Sequence, residues 1–254
     1  MTATAAHSEA DYESWRQEAI WNAVVPRRFP DAIARPASRA EVAKLVREAA
    51  ASGRRIGVKS GGHSWRGAGI RDGGLLLDLG GLQHIEVLPD DGIAFAEPGA
   101  THKMLADAIA PHGLGFPIGH CPTVGLGGYL LAGGFGWNKR TWGPAVWSIE
   151  GHDVVTVDGD EIQISATEHP DLYWAARGGG GGFPGVVTRY RLRLKPLPKI
   201  VAARVVYPLA CLPELLVWAG KHDRLPAGYV PEAALGWKAS RQLHPAENRD
   251  HDGF

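Results

Sequence analysis

VKSGGHSWRGAG, Val58 to Gly69, is a glycine-rich loop between two segments with strand character. RRIGVKS leads into the loop as a short strand, and GGLLLDLGGL follows it as a buried strand. Upstream, PASRAEVAKLVREAAASG predicts a helix, in which Ser38 is the N-cap, Glu41 completes a capping box and Gly53 supplies the stop. A helix between strands at this spacing predicts a βαβ unit with a small parallel sheet.

The histidine and serine of this loop raise the hypothesis of a serine hydrolase, whose nucleophile often lies in a Gly-His-Ser-x-Gly elbow. That elbow requires a small residue two places after the serine, since the turn is tight and leads directly into a helix. Arg66 stands at that position, and the following RGAGIRDGG is typical of turns. A serine hydrolase therefore remains only a remote alternative.

Three glycine runs instead favour one long ligand. The loop Ser60–Ser64 follows a strand, so its backbone N–H groups can form a concavity that binds a pyrophosphate. HCPTVGLGGYLLAGGFGW repeats this device, with Thr123 predicted to cap a helix that starts near Val124. RGGGGGFPGVVTRY adds a third such loop just before a strand. Three runs, each attached to the end of a strand or helix, fit one extended cofactor better than three unrelated turns.

Other classes of site lack their motifs. A dinucleotide-binding Rossmann unit is not supported, because the run from Gly125 to Gly128 lacks the third glycine or alanine of the G-x-G-x-x-G motif. A metal site is not supported either, because the sequence has no C-x-x-C or H-E-x-x-H motif. Equal numbers of acidic and basic residues, 27 each, give no global field that would attract nucleic acid or an anionic membrane. No apolar run approaches the length of a membrane span, and no signal peptide is visible. Two cysteines are too few for a disulfide scaffold, so we expect a cytoplasmic setting.

The rest of the chain predicts antiparallel pairing. GIAFAEPGA is a strand, and THKMLADAIAPHG is a helix capped by Thr101 and ended by Gly113. DVVTVDGDEIQIS predicts a hairpin with a type I′ turn at Asp158-Gly159, DLYWAARG a short helix, and VVTRYRLRLK a strand with one solvated face. IVAARVVY and LPELLVWAG predict one more strand and helix, and from about Leu225 the pattern is that of an irregular tail.

Together, VKSGGHSWRG, GHCPTVGLGGYLLAGGFGW and DLYWAARGGGGGFPGVVTRYRLRLKP resemble the motifs of flavin oxidoreductases of the vanillyl-alcohol oxidase superfamily, within it the berberine-bridge-enzyme-like oxidases. The resemblance covers about Pro26 to Pro196. It implies an α+β fold, the PCMH-type FAD-binding fold of two α+β subdomains, over about 26–90 and 91–196. An N-terminal helix within 1–25 is expected before it, and an incomplete substrate domain with the irregular tail over 197–254 after it.

The resemblance also assigns residues to FAD. His63 matches the histidine that is linked to the flavin 8α-methyl, and Cys121 matches the cysteine that adds to flavin C6 in bicovalent members. The pyrophosphate loop is matched by Ser60, Gly61, Gly62, Ser64 and Trp65. The stretch beside the isoalloxazine and ribityl is matched by Thr123, Val124, Gly125, Gly128, Gly133, Gly134 and Gly136. Val187 matches a backbone position that commonly meets the adenine or ribityl side.

Family members usually continue for a further substrate domain, which bears much of the substrate-facing wall and often the catalytic base. The catalytic residues are therefore unknown, with Tyr129 and Asn138 as candidates. The implied function is an oxidase that transfers hydride from an alcohol, sugar or secondary-metabolite hydroxyl to FAD and then passes electrons to oxygen. The alternative is a truncated, catalytically incomplete FAD-binding domain that is inactive or needs a partner. An unfinished substrate sheet would favour a homo-oligomer or pairing with a missing C-terminal segment.

Overall fold

The computed structural model describes residues 3–199 and 206–221, which belong to two compact units divided after Lys199. The helices are α1 Tyr12–Glu18, α2 Arg39–Ala51, α3 His102–Ile109, α4 Leu126–Leu131, α5 Lys139–Trp142, α6 Pro170–Ala175 and α7 Leu212–Lys221. The strands are β1 Ala3–Ala6, β2 Ala32–Arg35, β3 Ile56–Lys59, β4 Leu75–Asp78, β5 Ile85–Leu88, β6 Ile93–Ala96, β7 Leu114–Gly115, β8 Ile149–Val155, β9 Glu161–Ser165, β10 Val186–Arg193 and β11 Lys195–Pro196.

The first sheet has the strand order β1-β2-β4-β3. Strand β4 pairs in parallel with both β2 and β3, and the connection from β2 to β3 runs through α2, so the predicted βαβ unit is confirmed. Helix α2 begins after Ser38, whose Oγ accepts a hydrogen bond from the amide of Glu41 at 3.2 Å. The carboxylate of Glu41 accepts from the amide of Ala37 at 2.8 Å. Past the helix, Gly53 takes a positive φ of 64°, as predicted for the stop.

The second sheet is antiparallel throughout, in the order β5-β6-β10-β8-β9. In β10, Tyr190 and Leu192 are fully buried on one face of the sheet, and Arg191 is exposed on the other. This confirms the alternation predicted for β10. The α+β class is therefore confirmed, with a mixed first sheet built around a parallel core and an antiparallel second sheet. Strand β5 lies on the first-subdomain side of the predicted limit at residue 90 yet pairs with β6, so the second sheet already begins at Ile85.

Helix α2 joins the two sheets. Its apolar face, including Val42 and Val46, packs in one cluster with Leu77 of the first sheet and with Val155 and Val186 of the second. Above this cluster, the carboxylate of Asp153 accepts hydrogen bonds from Arg39 and Arg189, each at 2.6 Å. Apolar contacts through α2 thus join the two sheets, and the buried carboxylate of Asp153 fastens α2 to the second sheet.

Helix α1 lies within the predicted range 1–25, and strand β1, which pairs antiparallel with β2, precedes it as an edge strand. The turn type predicted for the next hairpin was wrong. In the hairpin of β8 and β9, Gly159 has φ 85° but Asp158 lacks the positive φ that a type I′ turn requires. The amide of Thr156 bonds the carbonyl of Asp160 at 2.9 Å, and the Thr156 hydroxyl accepts from the Asp160 amide at 3.2 Å. This pair extends the ladder and leaves a three-residue loop that ends in a left-handed glycine.

Helix α7 lies in the second compact unit and confirms the helix predicted from LPELLVWAG. Most of the strand predicted from IVAARVVY, and the tail from Leu225, lie outside the described residues. The predicted domain limits, with the cofactor domain over 26–196, stay a prediction.

Candidate cofactor site

The loop Ser60–Ser64 begins where β3 ends, and it is anchored from below. The ammonium of Lys59 bonds the buried carboxylate of Asp78 at 2.8 Å, which ties the carboxyl ends of β3 and β4 together. The Ser60 hydroxyl donates to the carbonyl of Pro98 at 2.5 Å, linking the loop to the second sheet. Ser60 therefore serves the loop's position, and its hydroxyl is already engaged.

The amides of this loop are available for an anion. Within residues 3–199 and 206–221, the backbone N–H groups of Gly61, Gly62, His63 and Ser64 donate to no acceptor. Successive free amides at the carboxyl end of a parallel strand are the donor set that a pyrophosphate requires. The Ser64 hydroxyl instead accepts from the amide of Ala68 at 3.1 Å and shapes the turn that follows.

The loop meets the segment around Cys121 through two glycines. A Cβ built on Gly61 would lie 2.4 Å from the amide nitrogen of Gly125, and one built on Gly125 would lie 2.5 Å from that of Gly61. Neither position therefore tolerates a side chain without movement of the backbone. This contact brings together two motifs that are far apart in sequence, with His63 on one side and Cys121 on the other.

Thr123 lies between the two predicted flavin anchors. Its Oγ1 is 3.0 Å from Nε2 of His63 and 3.6 Å from Sγ of Cys121. The prediction that Thr123 caps the next helix is wrong, since α4 begins at Leu126 and Gly125 occupies the N-cap position without a side-chain bond. The hydroxyl is used in a tertiary contact instead, and the helix begins five residues after Cys121 rather than three.

The ring of His63 is also stacked on an indole. Trp21 lies nearly parallel to it, with ring centroids 5.3 Å apart and 5° between the planes, and Trp65 meets the edge of Trp21 at 4.9 Å. Burial lowers the pKa of His63, and its contact with Thr123 opposes that shift. The imidazole is therefore held largely neutral at neutral pH. Trp65 itself is exposed and contacts Trp21.

The segment Cys121–Gly125 is held in place by the start of α3. The amide of Lys103 donates to the carbonyl of Pro122 at 3.0 Å, and that of His102 donates to Val124 at 3.0 Å. The amide of Leu126 returns to the carbonyl of Ala100 at 2.8 Å. The amides of His102 and Lys103, at the N-terminus of α3, thus bind and position the segment that carries Cys121.

The remaining predicted glycines either face open space or are packed against other residues. A Cβ on Gly128 or on Gly133 would meet no atom within 4 Å, so space is open beside both. Gly134 packs against Tyr129 and Ala145, and the other packed positions are Gly62 against Ala19 and Gly136 against Ile118. The Val187 side chain is buried in the core, which leaves only its backbone for a ligand, and Val124 is half-buried beside Thr123.

The two catalytic candidates differ in their surroundings. The Tyr129 hydroxyl donates to the carbonyl of Pro117 at 2.8 Å, and burial raises its pKa. Its proton is thus engaged with the backbone. Asn138 precedes α5, is half-buried, and its side chain makes no capping bond.

One residue near the site was missed at the sequence level. His102, in the first turn of α3, is 2% exposed, and its ring packs edge-on against Tyr129 and beside Gly119. Neither ring nitrogen makes a hydrogen bond of normal geometry with a described residue. Burial lowers the pKa of His102 to about 4, so the ring is neutral. Only its position at the start of a helix was visible in the sequence.

No set of three metal-ligating side chains occurs within the described ranges, and none of the helices described there is long and apolar enough to cross a membrane.

Comparison with known proteins gives a consistent set of relatives. Residues 30–165 match the FAD binding domain family. Over 208 residues the chain is 38% identical to a FAD-linked oxidoreductase of Penicillium ochrochloron, which covers 82% of this chain and 46% of that protein. Over 177 residues it is 38% identical to the xylooligosaccharide oxidase of Thermothelomyces thermophilus, covering 68% of this chain and 35% of that one.

Solved structures of oxidases and related proteins also superpose on this chain. The 6-hydroxy-D-nicotine oxidase from Arthrobacter nicotinovorans superposes with a TM-score of 0.72 and 35% identity, over 78% of this chain and 43% of that one. Physcomitrella patens BBE-like 1 superposes with a TM-score of 0.71 and 30% identity, over 76% and 42%. The chain therefore spans about half the length of the relatives it matches.

Proposed function

The chain belongs to the FAD binding domain family, and from this premise we propose that it carries FAD attached covalently through His63 and Cys121. The observation that carries the proposal is the cluster of His63, Thr123 and Cys121, in which both anchor side chains lie within hydrogen-bonding reach of one hydroxyl. The free amides of the loop from Gly61 to Ser64 supply the donors for the pyrophosphate. The open space beside Gly128 and Gly133 supports a flat ring system lying against that stretch.

The anchor residues have the chemistry that attachment requires. A neutral imidazole is a competent nucleophile, and burial keeps His63 in that form. In each attachment the new bond from His63 or Cys121 would replace a C–H bond of the flavin. The two electrons and the protons left on the flavin would then pass to oxygen, which leaves as hydrogen peroxide. Cysteine reacts as its thiolate, and Cys121 is a free, half-buried thiol. When bound, FAD supplies the hydride chemistry, and the protein's own groups orient it and exclude competing reactions.

We further propose that the protein acts as an oxidase, in which an alcohol, a sugar or a secondary-metabolite hydroxyl is the hydride donor and oxygen the final acceptor. The names of the relatives, which include xylooligosaccharide oxidase and carbohydrate oxidase, support an oligosaccharide or sugar among these. The two free cysteines support a reducing, cytoplasmic setting. This activity is proposed for the whole protein, since the relatives are about twice as long.

A catalytically incomplete FAD-binding domain is the second candidate, and a specific observation favours it. Of the two catalytic candidates, Tyr129 and Asn138, only Tyr129 can titrate. Its hydroxyl donates a hydrogen bond to the carbonyl of Pro117, so it is not free to act as a base. A chain that binds FAD without turnover would need a partner segment to supply the base. Oxygen consumption with a panel of sugars and alcohols separates the two: turnover by this chain alone favours the oxidase.

Peptide mapping tests the attachment. In the unsubstituted chain we expect one cross-linked species, in which the peptide with His63 and the peptide with Cys121 are both bonded to the same flavin. His63→Ala should leave flavin on the Cys121 peptide, and Cys121→Ala should leave it on the His63 peptide. Cys211→Ala is the matched control, because Cys211 is also a free, half-buried thiol but lies in the second compact unit. Flavin on neither peptide of the unsubstituted chain would contradict the proposal.

A further inference from the structure

Two residues touch His63 from different directions. Trp21 covers one face of the imidazole, with nearly parallel planes, and Thr123 contacts the ring at Nε2. A face contact restricts the tilt of a ring, and a hydrogen bond at one nitrogen restricts its rotation and selects its tautomer. Together the two contacts leave the imidazole little orientational freedom.

Trp21 comes from a segment that lies before residues 30–165, the part of the chain that matches the family. Its backbone amide donates to the carbonyl of Gly62 at 3.2 Å, directly beside His63. Gly62, with φ 71°, lies so close to this segment that a Cβ on it would be 2.9 Å from the carbonyl oxygen of Ala19. The segment after α1 is therefore fastened to the cofactor loop by its backbone as well as by the indole.

We propose that Trp21 and Thr123 are positioning residues that fix the orientation of His63 for attachment to the flavin, which makes the N-terminal segment a working part of the cofactor site. This inference rests on the proposed function, because it assumes that His63 is an anchor. Bond formation by a nucleophile depends steeply on its alignment, and displacement of the reacting atom by about 1 Å can slow a reaction roughly a hundredfold. Neither residue needs to touch the reacting atom to have this effect.

Paired variants test the proposal in the full chain. Trp21→Ala removes the face contact, and Trp21→Phe keeps a flat ring. Thr123→Val removes the hydroxyl at nearly constant shape, and Thr123→Ser keeps it. Trp174→Ala is the matched control, since Trp174 is an exposed indole on α6. For each chain, prepared free of flavin, the measurements are the rate at which added FAD becomes inseparable from the denatured protein, the Kd of the initial reversible complex, and the titration of His63 by NMR.

We expect Trp21→Ala and Thr123→Val to slow attachment roughly tenfold to a hundredfold while the Tm changes little. In Trp21→Ala the Kd of the reversible complex should change little as well. Trp21→Phe and Thr123→Ser should restore most of the rate, and Trp174→Ala should match the unsubstituted chain. Trp21→Ala should also raise the pKa of His63 toward its ordinary value, because it opens the buried face to water.

Two results would overturn the proposal: unchanged attachment and unchanged His63 titration in Trp21→Ala, or equal damage from the conservative and non-conservative variants. The proposed function fails separately, if the unsubstituted chain never retains flavin. The NMR titration then still decides whether Trp21 and Thr123 hold His63, since it requires no cofactor.

Discussion

At the residue scale, the glycines of the site have two different physical roles. Gly61 and Gly125 are required by the protein itself, because their backbones touch where two loops cross. Gly128 and Gly133 have open space beside them, as expected of positions that a ligand approaches. The sequence alone does not tell a glycine that touches another backbone from a glycine that leaves space for a ligand, because both positions require the absence of a side chain.

Gly61→Ala and Gly128→Ala distinguish the two roles. In Gly61→Ala the new Cβ meets backbone, so we expect a loss of about 3 kcal/mol in the free energy of unfolding and weaker FAD binding. In Gly128→Ala a helical glycine in open space is replaced, so we expect stability to rise by about 0.5–1 kcal/mol while FAD affinity falls. Denaturant titration and FAD binding, measured on both variants, check this. Unchanged FAD affinity in Gly128→Ala would mean that the cofactor does not approach this helix.

At the scale of elements, the sequence is most informative where the signals are local. The caps of α2 and the alternation of β10 depend on neighbours within a few residues, and both are confirmed. Thr123 was misjudged because its hydroxyl has a tertiary partner, His63, that competes with the helix amides. Strand β1 and the stacking of Trp21 on His63 depend on distant partners, which no pattern in a single sequence reveals.

The N-cap of α2 offers a test at this scale, because α2 joins both sheets. Ser38→Ala removes the acceptor for the Glu41 amide, so we expect a loss of about 1 kcal/mol in the free energy of unfolding. Ser38→Asp supplies another acceptor at the positive end of the helix dipole and should stay close to the unsubstituted chain. Equal losses in the two variants would show that the capping bond is not what stabilises α2.

For the molecule as a whole, two buried histidines couple stability to pH. His102 and His152 are 2% and 3% exposed, and burial lowers the pKa of each to about 4. Both are neutral in the folded state, and their ring nitrogens have no hydrogen-bond partner within the described ranges. In the unfolded chain each titrates near its ordinary value of 6.5.

Because these folded-state pKa values are depressed, the unfolded state binds protons first as the pH falls below 6.5. Stability should therefore be unaffected by these groups above pH 6.5 and should decline progressively toward pH 4, by about 3 kcal/mol for each histidine. His152→Leu, which keeps an apolar side chain of similar size, should flatten this decline by about half. Denaturant titrations at a series of pH values measure it, and an unchanged slope in His152→Leu would show that His152 is not the group responsible.

Covalent attachment of FAD would be visible in the absorbance spectrum of the protein after acid precipitation. The purified chain is precipitated, washed and dissolved in denaturant, and its visible spectrum is recorded. We expect the flavin absorbance to stay with the denatured protein, and to be lost completely only when His63→Ala and Cys121→Ala are combined. Flavin released entirely into the supernatant would show that neither His63 nor Cys121 is bonded to it, and a chain that takes up no added FAD would show that this site does not bind the cofactor.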